Sequence, residues 1–126
     1  MKANELRIGN LIQNIEGDVY CIDRIYSKDF YHGYYLNNGR YIRQGKEFMK
    51  PITLTEERLL HLGFKRINVN ISVFRYKNFD LCLSRKKFTL LHYRKPITLE
   101  YVHRLQNIYF ELENEELTKQ PSSSTP

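Results

Sequence analysis

Six tyrosines, Tyr20, Tyr26, Tyr31, Tyr34, Tyr35 and Tyr41, crowd one short stretch with Phe30 beside them, and Arg24, Lys28, Arg40 and Arg43 are interleaved. Aromatic rings stack on unpaired bases, and neighbouring cations hold the phosphates between those bases. Strand alternation turns part of such a cluster inward, so about half of these rings are expected in a core and the rest in solvent. Tyrosine and arginine are also enriched where proteins grip other proteins, so a protein partner fits the exposed subset as well. A second cationic group lies further on. Arg85, Lys86 and Lys87 fall at a predicted hairpin tip, Arg75 and Lys77 precede it, and Lys65, Arg66 and Arg94 share the segment. Such a tip can lie along a phosphate backbone. It can equally be a solvated turn that keeps a sheet edge from pairing with other chains. The candidate nucleic-acid-binding residues are therefore Arg24, Arg40, Tyr41, Arg43, Arg75, Lys77, Arg85, Lys86 and Lys87.

Catalytic and metal chemistry find no comparable support. His32, His61, His92 and His103 form no His-x-x-x-His spacing, and Cys21 and Cys82 form no Cys-x-x-Cys. Neither cysteine precedes a predicted helix N-terminus, where a thiolate would be stabilised. There is no Gly-x-Ser-x-Gly elbow, and the six glycines are scattered rather than gathered into a phosphate loop. The expectation is a chain that is not an enzyme, with no catalytic residue, metal or cofactor, and with both cysteines reduced.

Twenty basic and fourteen acidic residues give a net charge of +6. Residues 51–94 hold nine basic and three acidic groups, so the middle of the chain carries most of the excess. That balance favours acidic partners, nucleic acid among them. No run of about 20 apolar residues is present, and MKANELRIGN lacks a signal-peptide core, so a cytoplasmic protein with no membrane segment is expected. Whether it is a monomer or a homodimer stays open at this level.

The elements that must position these groups follow from periodicity and turn chemistry. The first fifty residues read as short strands, with turns at Glu16-Gly17-Asp18, at Asn38-Gly39 and near Gly45. Asn38-Gly39 predicts a type I′ hairpin turn. KPITL occurs at Lys50–Leu54 and again at Lys95–Leu99, each time before a helical pattern. In the first copy Thr55 is a good N-cap with Leu54 and Leu59 as the staple, Thr53 with Glu56 is an equally legal capping box, and Gly63 is the stop. In the second, Thr98 is the expected cap and Ile97 and Val102 the staple, for a helix from Leu99 to Glu113. Between them, INVNISVF, FDLCLS and FTLLHY predict a three-stranded antiparallel meander. Ile67, Val69, Ile71 and Val73 are expected on one face, and Phe79, Leu81 and Leu83 on another. The fold class is α+β: an N-terminal SH3-like small β-barrel, a short helix, the meander, and a C-terminal helix, with both helices on the meander. The expected division is 1–50, 51–118 and a disordered tail, 119–126.

LRIGNLIQ, PITLTEERLLHLGF and YVHRLQNIYFELENEEL together resemble a family of small uncharacterised proteins from gut-dwelling bacteria, their phages and mobile elements. The resemblance covers most of the chain, and its sharpest part is the Val-His-x-Leu-Gln-Asn-x-Tyr-Phe pattern after Tyr101. It implies a genomic setting and a fold, and carries no chemistry over. The expected function is a non-enzymatic accessory binding module of a phage or mobile element, with nucleic acid as partner. The alternative is a protein–protein interaction module that binds or modulates a host protein.

Overall fold

The structure, a computed structural model, describes residues 6–67, 72–85, 87–91 and 97–117. In chain order its elements are β1 (Leu11–Asn14), β2 (Val19–Ile25), β3 (Phe30–Tyr35), β4 (Tyr41–Gly45), a 3₁₀ turn (Lys46–Phe48), β5 (Met49–Lys50), α1 (Glu56–His61), β6 (Lys65–Arg66), β7 (Val73–Tyr76), β8 (Phe79–Ser84), β9 (Lys87–Leu90), β10 (Ile97–Leu99) and α2 (Val102–Glu113). The fold is α+β, as expected. It divides into two units, one of Met1–Thr53 with Tyr101–Glu116, the other of Leu54–Glu100 with Leu117–Pro126. The expected 51–118 block differs from this partition in where the last helix goes, and the 119–126 tail lies outside the described residues.

The first unit is a curled antiparallel sheet in the order β4-β3-β2-β1-β5. Alternation sends Ile12, Tyr20, Ile22 and Tyr31 to one face, where they form a core with Leu6 and Met49, and Tyr35 and Ile42 pack against it. Gly33 sits in the middle of β3, opposite Ile22 and Ile42. A Cβ there would lie 2.5 Å from the Cys21 carbonyl oxygen and 2.9 Å from the Tyr20 ring, so only glycine lets these strands approach. The β3–β4 hairpin is not the expected type I′ turn. Asn38 is not among the residues with positive φ, whereas Gly39 has φ +71°. The loop spans Leu36 to Arg40, with Gly39 N–H bonded to the Tyr35 carbonyl and Tyr35 N–H to the Arg40 carbonyl. A reversal of this length needs one left-handed residue near its end, not two in its centre.

α2, expected on the meander, is instead hydrogen-bonded to the segment that opens β1. The fully buried Gln106 accepts from Leu11 N–H at 2.8 Å through Oε1 and donates to the Gly9 carbonyl at 3.0 Å through Nε2. Its side-chain amide thus serves as one more backbone partner for the strand. Asn107 accepts from Asn10 Nδ2 at 2.9 Å and from Arg7 at 3.0 Å. The Gln106-Asn107 pair therefore ties α2 to this segment.

In the second unit α1 starts as its sequence predicts. The Thr55 hydroxyl accepts from Arg58 N–H at 3.2 Å, and the staple residues Leu54 and Leu59 are both buried. Gly63, at φ +97°, ends it: Gly63 N–H bonds the Leu60 carbonyl and Phe64 N–H the Leu59 carbonyl. The sheet runs β10-β9-β8-β7-β6, so the predicted three strands gain one neighbour on each edge. Phe79 and Leu81 are buried and Leu83 half-buried, as expected. In β7 the buried residue is Phe74, paired with Leu81, while Val73 is half-buried and Ile67, before the strand, is exposed. Val69 and Ile71 lie outside the described residues. Cys21 is buried as a free thiol, whereas Cys82 is half-buried.

The second KPITL departs from expectation. Ile97, Thr98 and Leu99 pair with Leu90, Thr89 and Phe88 as β10, so Thr98 caps nothing. β-Branched Ile97 and Thr98 suit a sheet edge, and pairing there also buries Leu99. The helix starts three residues later than predicted. Tyr101 is its N-cap without a side-chain bond, and Val102 N–H is satisfied by the Ile52 carbonyl at 2.8 Å. Its end matches: Asn114 is left-handed, at φ +55°.

Candidate nucleic-acid interface

The face of the first sheet opposite its core is organised in cross-strand rows. Cys21, Tyr34 and Tyr41 make one, through the pairs Cys21–Tyr34 and Tyr34–Tyr41. Arg24, His32 and Arg43 make the next, through Arg24–His32 and His32–Arg43. Phe30 opposite Gly45 begins a third, where Tyr26 N–H bonds the Phe30 carbonyl. Strict alternation in VYCIDRI would put Arg24 on the same side as Tyr20 and Ile22. A register shift between Ile22 and Arg24 inserts Asp23 as an extra residue and brings Arg24 opposite His32.

The rings on this face touch one another. Tyr41 stacks on His32 with centroids 5.2 Å apart and planes at 22°, and Tyr26 meets the same imidazole edge-on at 6.2 Å. Tyr34 is edge-on to Tyr41 at 6.4 Å, and the Arg43 guanidinium lies 5.1 Å above the Tyr26 ring. The Asp23 carboxylate bonds His32 Nδ1, which holds the imidazole in place. The Tyr34 hydroxyl is hydrogen-bonded to the Cys21 thiol, which is the first reason its pKa is pushed up to about 12, with the nearby Cys21 charge and burial adding to it. Burial pushes the Cys21 thiol up as well, against the opposing effect of that bond. Tyr41 is 70% exposed, Phe30 51% and Tyr26 47%, while Tyr20 and Tyr31 are buried. The cluster therefore divides between core and solvent, as alternation predicts. Tyr26, Phe30 and Arg43 line a groove of about 280 Å³.

The other candidates fall on the second unit. Arg75 is bound bidentately to the buried Asp80, Nε to Oδ1 at 2.7 Å and the second nitrogen to Oδ2 at 3.0 Å. That carboxylate neutralises Arg75, so Arg75 contributes less to a phosphate track than its sequence position suggests. Lys77 occupies the left-handed position of the β7–β8 turn, at φ +54°, with its ammonium 5.5 Å from the Tyr76 ring. Arg85, at φ +51°, and Lys87 are exposed at the β8–β9 tip, and Lys86 lies outside the described residues. The nine candidates are thus two sets: Arg24, Arg40, Tyr41 and Arg43 on the first unit, and the hairpin cations on the second. Arg40 sits in the β3–β4 loop with its N–H on Asn38 Oδ1 at 2.8 Å.

Sequence reasoning overlooked Asp23 and gave His32 only a structural or surface role. His32 was accessible to it, since it alternates in β3 with Phe30 and Tyr34. Asp23 was not, because the bulge has no local sequence signal. Among the described residues no group of three or more His, Cys, Asp or Glu is placed to hold a metal ion. Likewise among them, no helix is long and apolar enough to cross a membrane. His103 is buried and stacks on Tyr101 at 5.9 Å. Comparison with protein families, with curated proteins and with solved structures finds no match for this chain.

Proposed function

We propose that this protein is a non-enzymatic binding module that holds nucleic acid on the outer face of its first sheet, as an accessory protein of a phage or mobile element. The observation that carries the reading is the row Arg24–His32–Arg43 set between exposed rings, Tyr41 on one side and Phe30 with Tyr26 on the other. Cations flanked by uncovered aromatic faces suit a strand whose phosphates need neutralising and whose bases need a surface to stack on. The net charge of +6 supports association with a polyanion, and residues 51–94, nearly all in the second unit, carry the excess. The hairpin cations Arg85 and Lys87 offer the second unit a polyanion contact of its own. We also take the first unit as an SH3-like small barrel, which the strand order β4-β3-β2-β1-β5 and the 3₁₀ turn that returns β5 to β1 support.

Retention of the full chain on heparin and on single-stranded DNA tests the reading. Binding is expected at low salt and to fall steeply as salt rises. Arg24→Ala with Arg43→Ala should weaken it and flatten the salt dependence, and Arg85→Ala with Lys86→Ala and Lys87→Ala should weaken it across sequences. Absence of retention on either matrix at low salt removes the nucleic-acid reading. The exposed tyrosines and arginines then point to a protein partner instead.

A further inference from the structure

Building on the nucleic-acid reading, we infer that this face takes unpaired strand in a footprint of three nucleotides. The two outer bases stack on Tyr41 and on Phe30, and the middle nucleotide lies over the Arg24–His32–Arg43 row. The inference rests on spacing. Tyr41, Arg43 and Gly45 alternate along β4, so all three belong to the outer face. Successive rows on a strand are about 6.8 Å apart, roughly twice the 3.4 Å separation of stacked bases. A strand laid along β4 must therefore be pulled out of its own stack, and a duplex cannot follow it. Two row spacings separate Tyr41 from the Phe30–Gly45 pair, a span of about 14 Å that one intervening nucleotide fills.

Each end of the footprint has an uncovered ring. Tyr41 is backed by His32, which Asp23 holds from behind, so the pair presents a fixed flat surface. Phe30 faces Gly45, beside which Glu47 Oε1 and the Phe48 ring come within 3.4 and 3.6 Å of where a Cβ would stand, and its groove is closed by Tyr26 and Arg43. The middle row offers cations and an imidazole but no uncovered ring, because His32 is already covered by Tyr41. Stacking at two positions and charge at the third should make the outer bases necessary and the middle base dispensable. Recognition by ring faces should also leave base identity nearly free.

NMR titration of the full chain with thymidine oligonucleotides tests this. Affinity should rise steeply from two nucleotides to three and little from three to four. In the trinucleotide an abasic middle residue should change affinity less than threefold, and an abasic residue at either end should lower it about tenfold, a typical loss for one stacked base. Tyr41→Ala should lower trinucleotide affinity about tenfold and abolish the sensitivity to one end only. Phe30→Ala should do the same for the other end. Both rings are exposed, so well-dispersed spectra confirm that the variants are folded. If affinity follows phosphate number alone, with no abasic position favoured and no plateau, the footprint is wrong while nucleic-acid binding stands. If no oligonucleotide, duplex or heparin moves any resonance at low salt, the parent reading falls with it.

Discussion

Gln106→Ala strips one buried and one partly buried backbone group of their partners at once. Leu11 N–H loses its acceptor at 2.8 Å and the Gly9 carbonyl loses its donor at 3.0 Å. Each orphaned group costs about 1–3 kcal/mol, and a water entering the vacated volume returns part of it, so a net loss of about 2–4 kcal/mol is expected. That is large against the roughly 5–15 kcal/mol that holds a domain folded. Urea denaturation followed by circular dichroism measures it. The exposed Arg7–Glu116 pair is the control: Glu116→Ala should cost less than about 1 kcal/mol, as exposed ion pairs do. Gln106→Glu adds a signature that a volume change cannot imitate. The carboxylate keeps the acceptor for Leu11 but loses the donor to Gly9, whereas the protonated acid keeps both. Burial raises the carboxyl pKa in the folded state above the unfolded value of about 4.3. Below that value both states are protonated and the variant should approach wild type. As pH rises the unfolded chain ionises first, so stability falls until the folded carboxyl also titrates. A Gln106→Ala loss under about 0.5 kcal/mol, or a Gln106→Glu variant no more pH-dependent than wild type, would refute this account of how α2 is held.

The remaining predictions concern the sheets and caps. Thr55→Ala should cost about 1 kcal/mol in the same denaturation assay, because its hydroxyl caps α1, whereas Thr98 in β10 makes no such cap and its alanine variant should lose no capping energy. Gly33→Ala should cost about 1–3 kcal/mol from overpacking, with spectral changes at Tyr20 and Cys21, whose atoms a Cβ would meet; wild-type stability would mean that the strands have room to separate. Alkaline unfolding should set in between pH 10 and 12. The unfolded chain releases tyrosine protons near 10, while Tyr34 holds its own to about 12 and burial pushes Tyr20 and Tyr31 up in the same direction. Stability is then full below pH 10 and lost as pH rises, and an acid-side loss of equal size without an alkaline one would contradict the assignment.

What the amino-acid sequence determines here is local. Thr55 with Leu54, Leu59 and Gly63 specifies both ends of α1, because a cap, a staple and a left-handed stop act within a few residues of one another. Alternation likewise divides the tyrosine cluster between a core and a solvent face, since a strand has only two sides, and the structure puts Tyr20 and Tyr31 in the core. Tertiary structure decides whatever depends on a distant partner. The first KPITL leads into a helix, whereas Ile97–Leu99 of the second become a sheet edge because they pair with β9 there, and propensity is weaker than pairing. α2 joins the first unit because Gln106 finds Gly9 and Leu11 nearly a hundred residues away in the chain. A bulge carries Arg24 to the exposed face against its own alternation, and a buried Asp80 neutralises Arg75 from the next strand. Residue types set which groups can meet a nucleic acid, and the register of strands remote in sequence decides which of them stand together, because only that register fixes side, spacing and partner at once.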